Sequence, residues 1–377
     1  MSEWKHIGLG DTATFHNGYP FKPTEWSSFG REIIRIQNLT KGSSQTNYFE
    51  GKLANKYSVT KGDILISWSG SLGVYEWEKE DAWLNQHLFK VVFDKEAVDK
   101  SFFKYLISIS LKKLETQVHG ATMKHITKKN FDAFPVNLPP LETQQKIAAI
   151  LDAADTLRQK DKALLAKYDE LTQALFLDMF GDPVSNPKGW DLRSFEAMVK
   201  FDTKMTKDFD TYGDLLHVGI GNIQKNTGKI IECLTANDEG LTSGKYLFDK
   251  RHIIYSKIRP NLNKVALPDF TGLCSADSYP LLPIEGVSNR IFIANILRSE
   301  CFLDFILQHS TRTNIPKANR TQMKLFVGIC PPFELQTQFA ERVTIIEQQK
   351  AIAQASLEKS EELFNSLLQK AFKGELV

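Results

Sequence analysis

The residues that come nearest to a known catalytic motif are Cys330-Pro331-Pro332-Phe333. They differ at the first position from the Asn/Asp-Pro-Pro-Tyr/Phe motif with which amino-methyltransferases hold an adenine. A cysteine cannot supply the amide or carboxylate oxygen that accepts a hydrogen bond from the exocyclic amine. No convincing glycine-rich cofactor loop accompanies the motif, and a second Pro-Pro pair stands at Leu138-Pro139-Pro140-Leu141. The two pairs therefore predict helix starts, not catalysis.

Other residues that could do chemistry lack the required spacing. Gly240 to Tyr246 resembles a phosphate-binding loop, but it has three residues between its glycines and no Ser or Thr after its lysine, so we predict a turn. Glu50-Gly51-Lys52 could be half of a metal-nuclease signature, but no suitable Pro-Asp pair precedes it. The eight histidines and the four cysteines show no metal-ligand spacing, and we expect free thiols at Cys233, Cys274, Cys301 and Cys330. The sequence predicts no catalytic residue, no metal site and no cofactor in this chain.

The elements that must position any functional residue include a segment that occurs twice. The run that begins at Pro139 (PPLETQQKI) aligns with the run that begins at Pro331 (PPFELQTQF), and the residue numbers differ by 192. The alignment continues without a gap, so that Leu175 meets Leu367 and Phe180 meets Phe372. Each segment is about 40 residues long and follows a globular block, which indicates a molecule built twice.

Both repeated segments carry apolar residues at alternating spacings of three and four, which predicts two long coiled-coil helices that pack on each other. Glu142 and Glu334 suit the positive first turn of a helix, and Gly181 and Gly374 suit its end. At 1.5 Å per residue each helix would span roughly 60 Å. The residues predicted to pack between the helices or against partners are Ile147, Ile150, Ala154, Leu157, Leu164, Leu171 and Leu175, with Phe339, Val343, Ile346, Leu357, Phe364 and Leu367. Asp161, Tyr168, Lys350, Ala353 and Ser360 continue the same two stripes.

The blocks before these helices are predicted to be mixed α and β domains. Residues 33–36, 63–68 and 252–257 are short apolar or aromatic runs of the kind found in strands. Both blocks end in a helix-like stretch, at residues 101–114 and 291–307. Residues 62–67 parallel residues 251–256, although the blocks agree far less than the helices do. One framework that carries two diverged domains indicates two different recognition surfaces.

These observations define the predicted architecture as an α+β protein with two pseudo-repeated globular domains. The first domain occupies residues 1–140, a central helix 141–182, the second domain 183–332 and a C-terminal helix 333–377. If the helices pack antiparallel, the chain returns to its starting domain, and a dumbbell with a pseudo-twofold axis and adjacent ends results. Trp4 and Trp190 mark equivalent domain starts. The alternative is a helical hairpin that dimerises a standalone DNA-binding regulator.

Charge is distributed unevenly although the net charge of the 377 residues is only +2. The two blocks, residues 1–138 and 184–330, carry +3 and +4, whereas each helix segment carries −2. Within the blocks the basic residues concentrate in residues 100–129, 245–264 and 312–324. Three basic runs at matching ends of two repeated blocks favour a surface that binds phosphates over an ordinary solvated face.

Composition excludes a membrane protein and favours a cytoplasmic one. The chain is 42% hydrophobic and 24% charged, as in globular proteins. It has no run of 18 apolar residues, and the residues after Met1 lack the apolar region of a signal peptide. We therefore expect no membrane association and a location in the cytoplasm.

The doubled PPLE/PPFE helix start, the helix that ends at Phe180-Gly181-Asp182-Pro183 and the run at Tyr255 to Pro260 resemble specificity subunits of type I restriction-modification systems. This resemblance covers essentially the whole chain. It implies two target-recognition domains, each of which reads half of a bipartite site on double-stranded DNA, and helices that act as a ruler. It also implies two docked modification subunits that carry S-adenosylmethionine and methylate adenine, and a restriction and translocase subunit that completes the enzyme. The chain itself would be non-catalytic.

Polar and basic residues near the predicted strand ends are the candidate DNA contacts. Arg and Lys suit guanine edges or phosphates, while Asn and Gln form bidentate pairs with adenine. In the first domain the candidates are Arg35, Gln37, Asn38, Ser69, Thr122, Lys124 and His125. In the second they are Lys257, Arg259, Asn261, Asn263, Lys264, Asn319, Arg320 and Lys324. A rod of the predicted length places the half-site centres about one DNA turn apart, with about 5 to 8 unread base pairs between the half-sites.

Overall fold

The computed structural model describes residues 4–40, 45–117, 126–309 and 316–377, which form two compact units. The first unit comprises Met1–Lys162 with Ala355–Val377, and the second comprises Ala163–Gln354. Each unit therefore contains one globular head and part of each of the two long helices. Among the described residues, no helix has both the length and the apolar character needed to cross a membrane.

The first head consists of two four-stranded sheets and a two-stranded ribbon. Its strands are β1 (Lys5–Gly8), β2 (Thr14–Asn17), β3 (Arg31–Ile34), β4 (Asn47–Phe49), β5 (Ser58–Val59), β6 (Ile64–Ser67), β7 (Gly73–Glu76), β8 (Ala82–Leu84), β9 (Leu88–Val92) and β10 (Pro135–Leu138). Its helices are α1 (Leu9–Thr12), α2 (Ile36–Thr40), α3 (Lys100–Gln117) and α4 (Lys128–Asp132). The sheet orders are β2-β9-β6-β7 and β4-β3-β8-β5, and β1 pairs with β10. The long helix α5 (Leu141–Phe180) follows.

The second head repeats this plan. Its strands are β11 (Leu192–Ser194), β12 (Val199–Phe201), β13 (Met205–Thr206), β14 (His217–Val218), β15 (Lys245–Phe248), β16 (Ile253–Ser256), β17 (Val265–Ala266), β18 (Gly272–Cys274), β19 (Ser278–Pro283) and β20 (Val327–Ile329). Its helices are α6 (Phe195–Met198), α7 (Phe209–Tyr212), α8 (Arg290–Arg298), α9 (Glu300–Gln308) and α10 (Arg320–Lys324). The sheet orders are β12-β19-β16-β17 and β13-β15-β18-β14, and β11 pairs with β20. The second long helix is α11 (Phe333–Lys373).

The strand pairings show that the two heads are structural repeats. In each head, one parallel pair lies within an otherwise antiparallel sheet: β3 pairs with β8, and β14 pairs with β18. Strand β6 lies between β9 and β7 as β16 lies between β19 and β17. The repeat is incomplete at one edge, because β4 extends the sheet beside β3 whereas β13 extends it beside β15. These findings confirm the α+β class and the pseudo-repeated heads.

The predicted secondary structure is confirmed with two corrections. The strands predicted at 63–68 and 252–257 are β6 and β16, and the stretch at 101–114 is α3. The strand predicted at 33–36 ends at Ile34, because Ile36 begins α2. The stretch predicted at 291–307 is two helices, since Ser299 is extended and its side chain accepts a hydrogen bond from Phe302 N at the start of α9. Gly240 lies in a turn with a φ of +60°, as predicted, but Lys245 and Tyr246 at the end of the predicted turn belong to β15.

Each long helix is attached to its head by a buried glutamine at an equivalent position. Gln144 accepts a hydrogen bond from Asp99 N at 2.9 Å and donates to the carbonyl groups of Ala97 and Pro139 at 3.1 and 2.8 Å. Gln336, 192 residues later, accepts from Asn289 N and donates to Val287 O and Pro331 O, at 2.7 to 3.0 Å.

Both glutamine side chains are at most 1% exposed. Asp99 and Asn289 also cap α3 and α8, since their side chains accept from Phe102 N and Ile291 N. Each glutamine therefore fixes the start of a long helix against the start of α3 in the first head or of α8 in the second.

The buried stripe of α11 is the predicted one. Phe339, Val343, Ile346, Ala353, Leu357 and Phe364 are all less than 10% exposed. Leu367 is half-buried. The polar residues of this stripe have partners within their own unit. In the second unit Lys350 binds the Asp169 carboxylate, and in the first unit Ser360 donates to Leu357 O at 3.0 Å.

The stripe predicted for α5 is wrong at every second position. Ile147 and Ala154 are buried and Leu175 is half-buried, but Ile150, Leu157, Leu164 and Leu171 are 36 to 48% exposed. The packed positions are instead those of the α11 stripe moved back by 192 residues: Ile147, Leu151, Ala154, Arg158, Asp161, Leu165, Tyr168, Thr172 and Leu175, all buried or half-buried. The apolar side chains at 150, 157, 164 and 171 lie on an outer face because the next residue in each case, Leu151, Arg158, Leu165 or Thr172, takes the inner position.

Within each unit the two helix segments run antiparallel. In the first unit, Asp161 accepts a hydrogen bond from Ser356 and the Arg158 guanidinium lies over the Phe364 ring. In the second unit, Phe176 and Phe180 contact Phe339 with ring centroids 5.7 and 5.2 Å apart. The predicted start and stop signals are confirmed, because α5 and α11 begin directly after the Pro-Pro pairs and are followed by Gly181 and Gly374 at positive φ. The four-part division into domains stays a prediction.

Candidate nucleic-acid interface

Several of the predicted DNA contacts of the first head lie at one edge, because the parallel strands β3 and β8 both end there. Strands β3 and β8 run in the same direction, with Ile34 opposite Leu84, and Asn85 N donates to Ile34 O at 3.2 Å. Arg35, which follows β3, therefore leaves the sheet next to the turn that follows β8. Its guanidinium carbon lies 5.0 Å from the centre of the half-exposed Trp26 ring, a cation–π geometry that restrains it.

Helix α2 carries two more of the predicted residues at this edge. Gln37 is exposed. The Asn38 side-chain oxygen accepts a hydrogen bond from Arg35 N at 3.0 Å. Asn38 is thus partly engaged in shaping the start of the helix, whereas the Gln37 side chain is exposed and Arg35 lies over Trp26.

Ser69 lies at the same edge, in the loop that follows β6. Its hydroxyl is 3.4 Å from His87 Nδ1, and His87 Nε2 is 3.3 Å from the Gln86 amide nitrogen. Gln86 and His87 are functional candidates that the sequence reasoning missed. The Asn-Gln-His run between two apolar strands could have predicted an exposed polar turn, but not that this turn lies beside Arg35 and Ser69.

Three predicted residues of the first head, Thr122, Lys124 and His125, lie outside the described residues. Ile126, the next residue along the chain, donates its backbone N–H to Trp68 O at 3.1 Å. The second head has the same contact 192 residues later, where Ala318 N donates to Lys257 O at 2.8 Å. The duplication therefore extends upstream of the Pro-Pro pairs into the heads themselves.

The equivalent edge of the second head contains the run that follows β16. Lys257 donates its ammonium to Ala276 O, and its nitrogen is 5.0 Å from the centre of the Tyr279 ring. Burial, together with the positive charge of Lys317, lowers the pKa of Lys257. The side chain of Lys257 is thus partly committed to the turn between β18 and β19.

Arg259 is the most suitably placed predicted contact in the second head. It is exposed, and its backbone has a φ of +52°, which is costly for an arginine. Its N–H donates to Pro316 O at 2.9 Å, and a short 3₁₀ turn, Pro260–Leu262, follows. A strained, exposed cation that is held by the backbone of another segment is a reasonable site for an anionic ligand.

The residues around the 3₁₀ turn divide into exposed and engaged ones. Asn261 is exposed. Asn263 also has a positive φ, of +47°, and its amide donates to Arg298 O at 2.9 Å. Lys264 donates to Ile220 O at 2.6 Å, and burial lowers its pKa. Asn263 and Lys264 therefore have structural partners, whereas Asn261 has its side chain at the surface.

Helix α10 contributes the remaining predicted residues. Asn319 and Arg320 are exposed at its start, and the Arg320 guanidinium carbon lies 4.9 Å from the centre of the Phe201 ring. Lys324 at its end forms an ion pair with Glu196. Lys128 is the residue 192 positions before Arg320, and its ammonium lies 5.8 Å from the Phe15 ring centre. A cation over an aromatic ring is thus repeated in both heads.

The described residues contain no group of three or more His, Cys, Asp or Glu side chains that could hold a metal ion. Burial raises the pKa of all four thiols, that of Cys274 to about 12, so these groups are protonated at neutral pH. Cys330 is buried with its Sγ 3.7 Å from Val287 O, and α11 begins at Phe333. The Cys330-Pro331-Pro332-Phe333 segment is therefore a helix start, as predicted.

Two similar α+β heads, each carrying an exposed polar edge and each fixed to long paired helices, define a scaffold that presents two separate surfaces. Residues 1–167 match the family described as the Type I restriction modification DNA specificity domain. The specificity subunit of the EcoDI type I restriction enzyme of Escherichia coli is 26% identical over 363 residues, covering 85% of this chain and 80% of that protein. The putative MjaX specificity subunit of Methanocaldococcus jannaschii is 34% identical over 182 residues, 46% of this chain and 43% of that protein.

Solved structures share the fold. The S subunit of the type I restriction-modification system of M. genitalium has a TM-score of 0.58 and 14% identity, covering 98% of this chain and 96% of that chain. A chain from a structural study of complex assembly and conformational transition in the type I restriction-modification system has a TM-score of 0.56 and the same identity, with 100% and 99% coverage. By its match over residues 1–167 and by these relatives, the chain is similar to type I restriction-modification specificity subunits, which bears out the predicted resemblance. The relatives are named as specificity subunits, in agreement with the predicted non-catalytic role.

Proposed function

We propose that this specificity subunit reads a bipartite target on double-stranded DNA, with one half-site for each head. The observation that supports it is the pair of equivalent edges. The strand order and the attachment to the helices are repeated, but the side chains presented differ: Arg35, Gln37 and Ser69 in the first head, and Arg259, Asn261 and Arg320 in the second. Two heads with the same backbone arrangement but different exposed polar side chains suit the recognition of two unrelated short DNA sequences.

The exposed apolar residues on the long helices are proposed docking sites for two modification subunits, one in each unit. In the first unit these residues are Ile150 and Leu157 on α5, and in the second they are Leu164 and Leu171 on α5 with Ile345 and Ile352 on α11. Large exposed aliphatic side chains in regular helices are typical of partner-binding faces. The modification subunits would supply S-adenosylmethionine and methylate adenine, and a restriction and translocase subunit would complete the assembly.

The helices would also set the spacing between the half-sites. A helix of 40 residues is about 60 Å long, and ten base pairs of DNA occupy about 34 Å. Half-sites whose centres lie about one turn apart would leave about 5 to 8 base pairs unread.

Methylation mapping tests the proposal directly. The chain is expressed with its modification subunits in cells that lack other adenine methyltransferases, and methylated adenines are located by single-molecule sequencing. We expect one bipartite motif with a constant gap. A continuous methylated motif would contradict bipartite reading. Tight specific binding by the isolated chain in a gel-shift assay, without adenine methylation in the cells, would instead indicate a standalone DNA-binding regulator.

A matched deletion tests the ruler. Removing residues 162–168 and residues 350–356 takes one heptad from each helix and preserves the 3-4 register of the buried stripes, because the Asp161–Ser356 and Lys350–Asp169 contacts place these segments opposite each other. Seven residues of helix are about 10 Å, so the gap should shorten by about 3 base pairs. An unchanged gap in the methylation map would exclude the ruler.

The docking sites are tested by Leu157→Glu combined with Leu164→Glu. Both side chains are more than 40% exposed, so thermal stability should change little, while co-purification with the modification subunit should be lost. Lys160→Glu, on the exposed surface of the same helix, is the control for added negative charge. Normal co-purification of the double variant would place the docking surface elsewhere.

A further inference from the structure

The turn between β8 and β9, Asn85 to His87, carries the strongest additional signal in the molecule. Asn85 is 9% exposed, its carbonyl accepts from Leu88 N at 3.0 Å, and its side-chain oxygen is 3.4 Å from His87 N. Asn85 therefore shapes the turn. The two residues after it have side chains at the surface, where Gln86 is partly exposed and His87 is exposed.

Two other segments of the chain hold this turn in place. Gln86 N donates to Tyr19 O at 3.0 Å, and Tyr19 N donates to Leu84 O at 2.8 Å. Asn85 N is bonded to Ile34 O, directly before Arg35. The backbone of Gln86 is thus fixed by hydrogen bonds, while the hydrogen bond of its side-chain amide goes to His87, a neighbour that is itself exposed. A rigid backbone with unburied polar side chains is the arrangement that base recognition requires.

The second head shows that the fold does not require exposed polar side chains in this turn. The equivalent turn lies between β18 and β19, where Lys257 donates to Ala276 O and Lys257 N donates to Asp277 O at 3.0 Å. Asp277 there lies 3.9 Å from the Lys317 ammonium. Ala276 and Asp277 thus stand where the first head has Gln86 and His87, and the Lys257 ammonium binds the backbone of this turn. The two turns therefore share a backbone arrangement and differ in the side chains that they present.

We propose that Gln86 and His87 read bases in the half-site of the first head. This inference rests on the proposed bipartite DNA recognition and deepens it. The Gln86 amide has one donor and one acceptor group, which match N7 and the exocyclic amine of adenine in the major groove. His87 has its Nδ1 3.4 Å from the Ser69 hydroxyl and its Nε2 3.3 Å from the Gln86 amide nitrogen, and on DNA its Nε2 would exchange the long contact with Gln86 for a hydrogen bond to the neighbouring base. Arg35 lies beside them at the end of β3.

The test uses the full chain assembled with its modification subunits. Gln86→Leu keeps the approximate size of the side chain and removes its hydrogen bonds, His87→Ala removes the imidazole, and Gln145→Leu on the exposed face of α5 is the matched control. Methylation is mapped in cells, and binding is measured on a panel of duplexes with every base at each position of the first half-site.

We expect Gln86→Leu to reduce discrimination at one position of the first half-site by about 5- to 100-fold, with the second half-site and the gap unchanged. His87→Ala should relax an adjacent position. An unchanged motif in both variants would overturn the inference. Equal weakening on every duplex, with preferences intact, would also overturn it, because that result indicates a phosphate contact.

A structural role would appear as a lower melting temperature without altered preference, and it too would contradict base reading. Failure of the proposed function is distinguishable, since the unmodified chain would then yield no bipartite methylation motif at all. A bipartite motif in the unmodified chain that is insensitive to Gln86 and His87 would reject this inference alone.

Discussion

The two junctions between head and helix are nearly identical, whereas the two edges that carry the candidate DNA contacts are not. Gln144 and Gln336 make the same three hydrogen bonds to equivalent backbone groups. At the edges, by contrast, Gln86 and His87 correspond to Ala276 and Asp277, and Trp68 corresponds to Lys257. The packing is nearly the same in both repeats where a long helix leaves its head. At the edges the fold constrains only the backbone, and the side chains are available for recognition.

The largest effect is expected from breaking a junction. Gln336→Leu leaves Asn289 N and two carbonyl groups buried without their partner, and each such group costs about 1–3 kcal/mol. We therefore expect the free energy of unfolding, measured by urea denaturation, to fall by about 3 kcal/mol or more. Gln144→Leu should have a similar effect, because its three bonds are the same.

Gln338→Leu is the control for this prediction, since Gln338 is exposed two residues away on the same helix. It should change the unfolding free energy by less than about 0.5 kcal/mol. A small effect of Gln336→Leu would show that the junction is held by the apolar contacts of Phe339 and its neighbours and that the conserved glutamine geometry is incidental.

A second comparison, between the inner and outer faces of α5, tests which residues of this helix pack against α11. Leu151 is fully buried and Leu157 is 46% exposed, although both are leucines of one helix in one unit. Leu151→Ala should lower the free energy of unfolding by about 3 kcal/mol through loss of burial and a residual cavity. Leu157→Ala should lower it by less than about 0.5 kcal/mol. Equal costs in chemical denaturation would restore the register predicted from the sequence alone.

That register error shows what the sequence could and could not predict. The repeat, the helix starts and stops and the stripe of α11 follow from proline, glycine and apolar spacing. The stripe of α5 was misassigned because Ile150, Leu157, Leu164 and Leu171 are strongly apolar, whereas the inner positions that were missed include the polar residues Arg158, whose guanidinium lies over Phe364, and Thr172. Moving the α11 stripe back by 192 residues would have identified them.

The candidate site was less predictable than the helices. Arg35 and Ser69 lie at one edge, as their positions at strand ends suggest, but Gln86 and His87 joined them only through the parallel pairing of β3 with β8. A parallel partner 50 residues away leaves no short-range signal. Similarly, nothing local distinguishes Asn261, which is exposed, from Asn263 and Lys264, whose side chains bind the carbonyl groups of Arg298 and Ile220.

The smallest predicted effect is a difference between the two heads in how their stability changes at acidic pH. Asp63 and His252 occupy equivalent positions before β6 and β16, but Asp63 pairs with Lys90, whereas His252 lies between Asp249 and Asp202. The Arg251 side chain, and then its N–H, hold the pKa of Asp249 well below its usual range.

A lowered carboxyl pKa in the folded state means that the stabilisation is present above the ordinary value, about 4, and is lost as pH falls below it. Asp249→Asn should therefore lower the urea midpoint slightly at pH 6 and reduce its further decline between about pH 5 and pH 3. Because Arg251 is largely exposed, solvent and salt weaken the pair, so the change should be small and should shrink in high salt. Asp81→Asn, which removes the half-exposed partner of Arg31 in the first head, is the comparison. If both variants show the same midpoints across this range, the two heads do not differ in their response to acid.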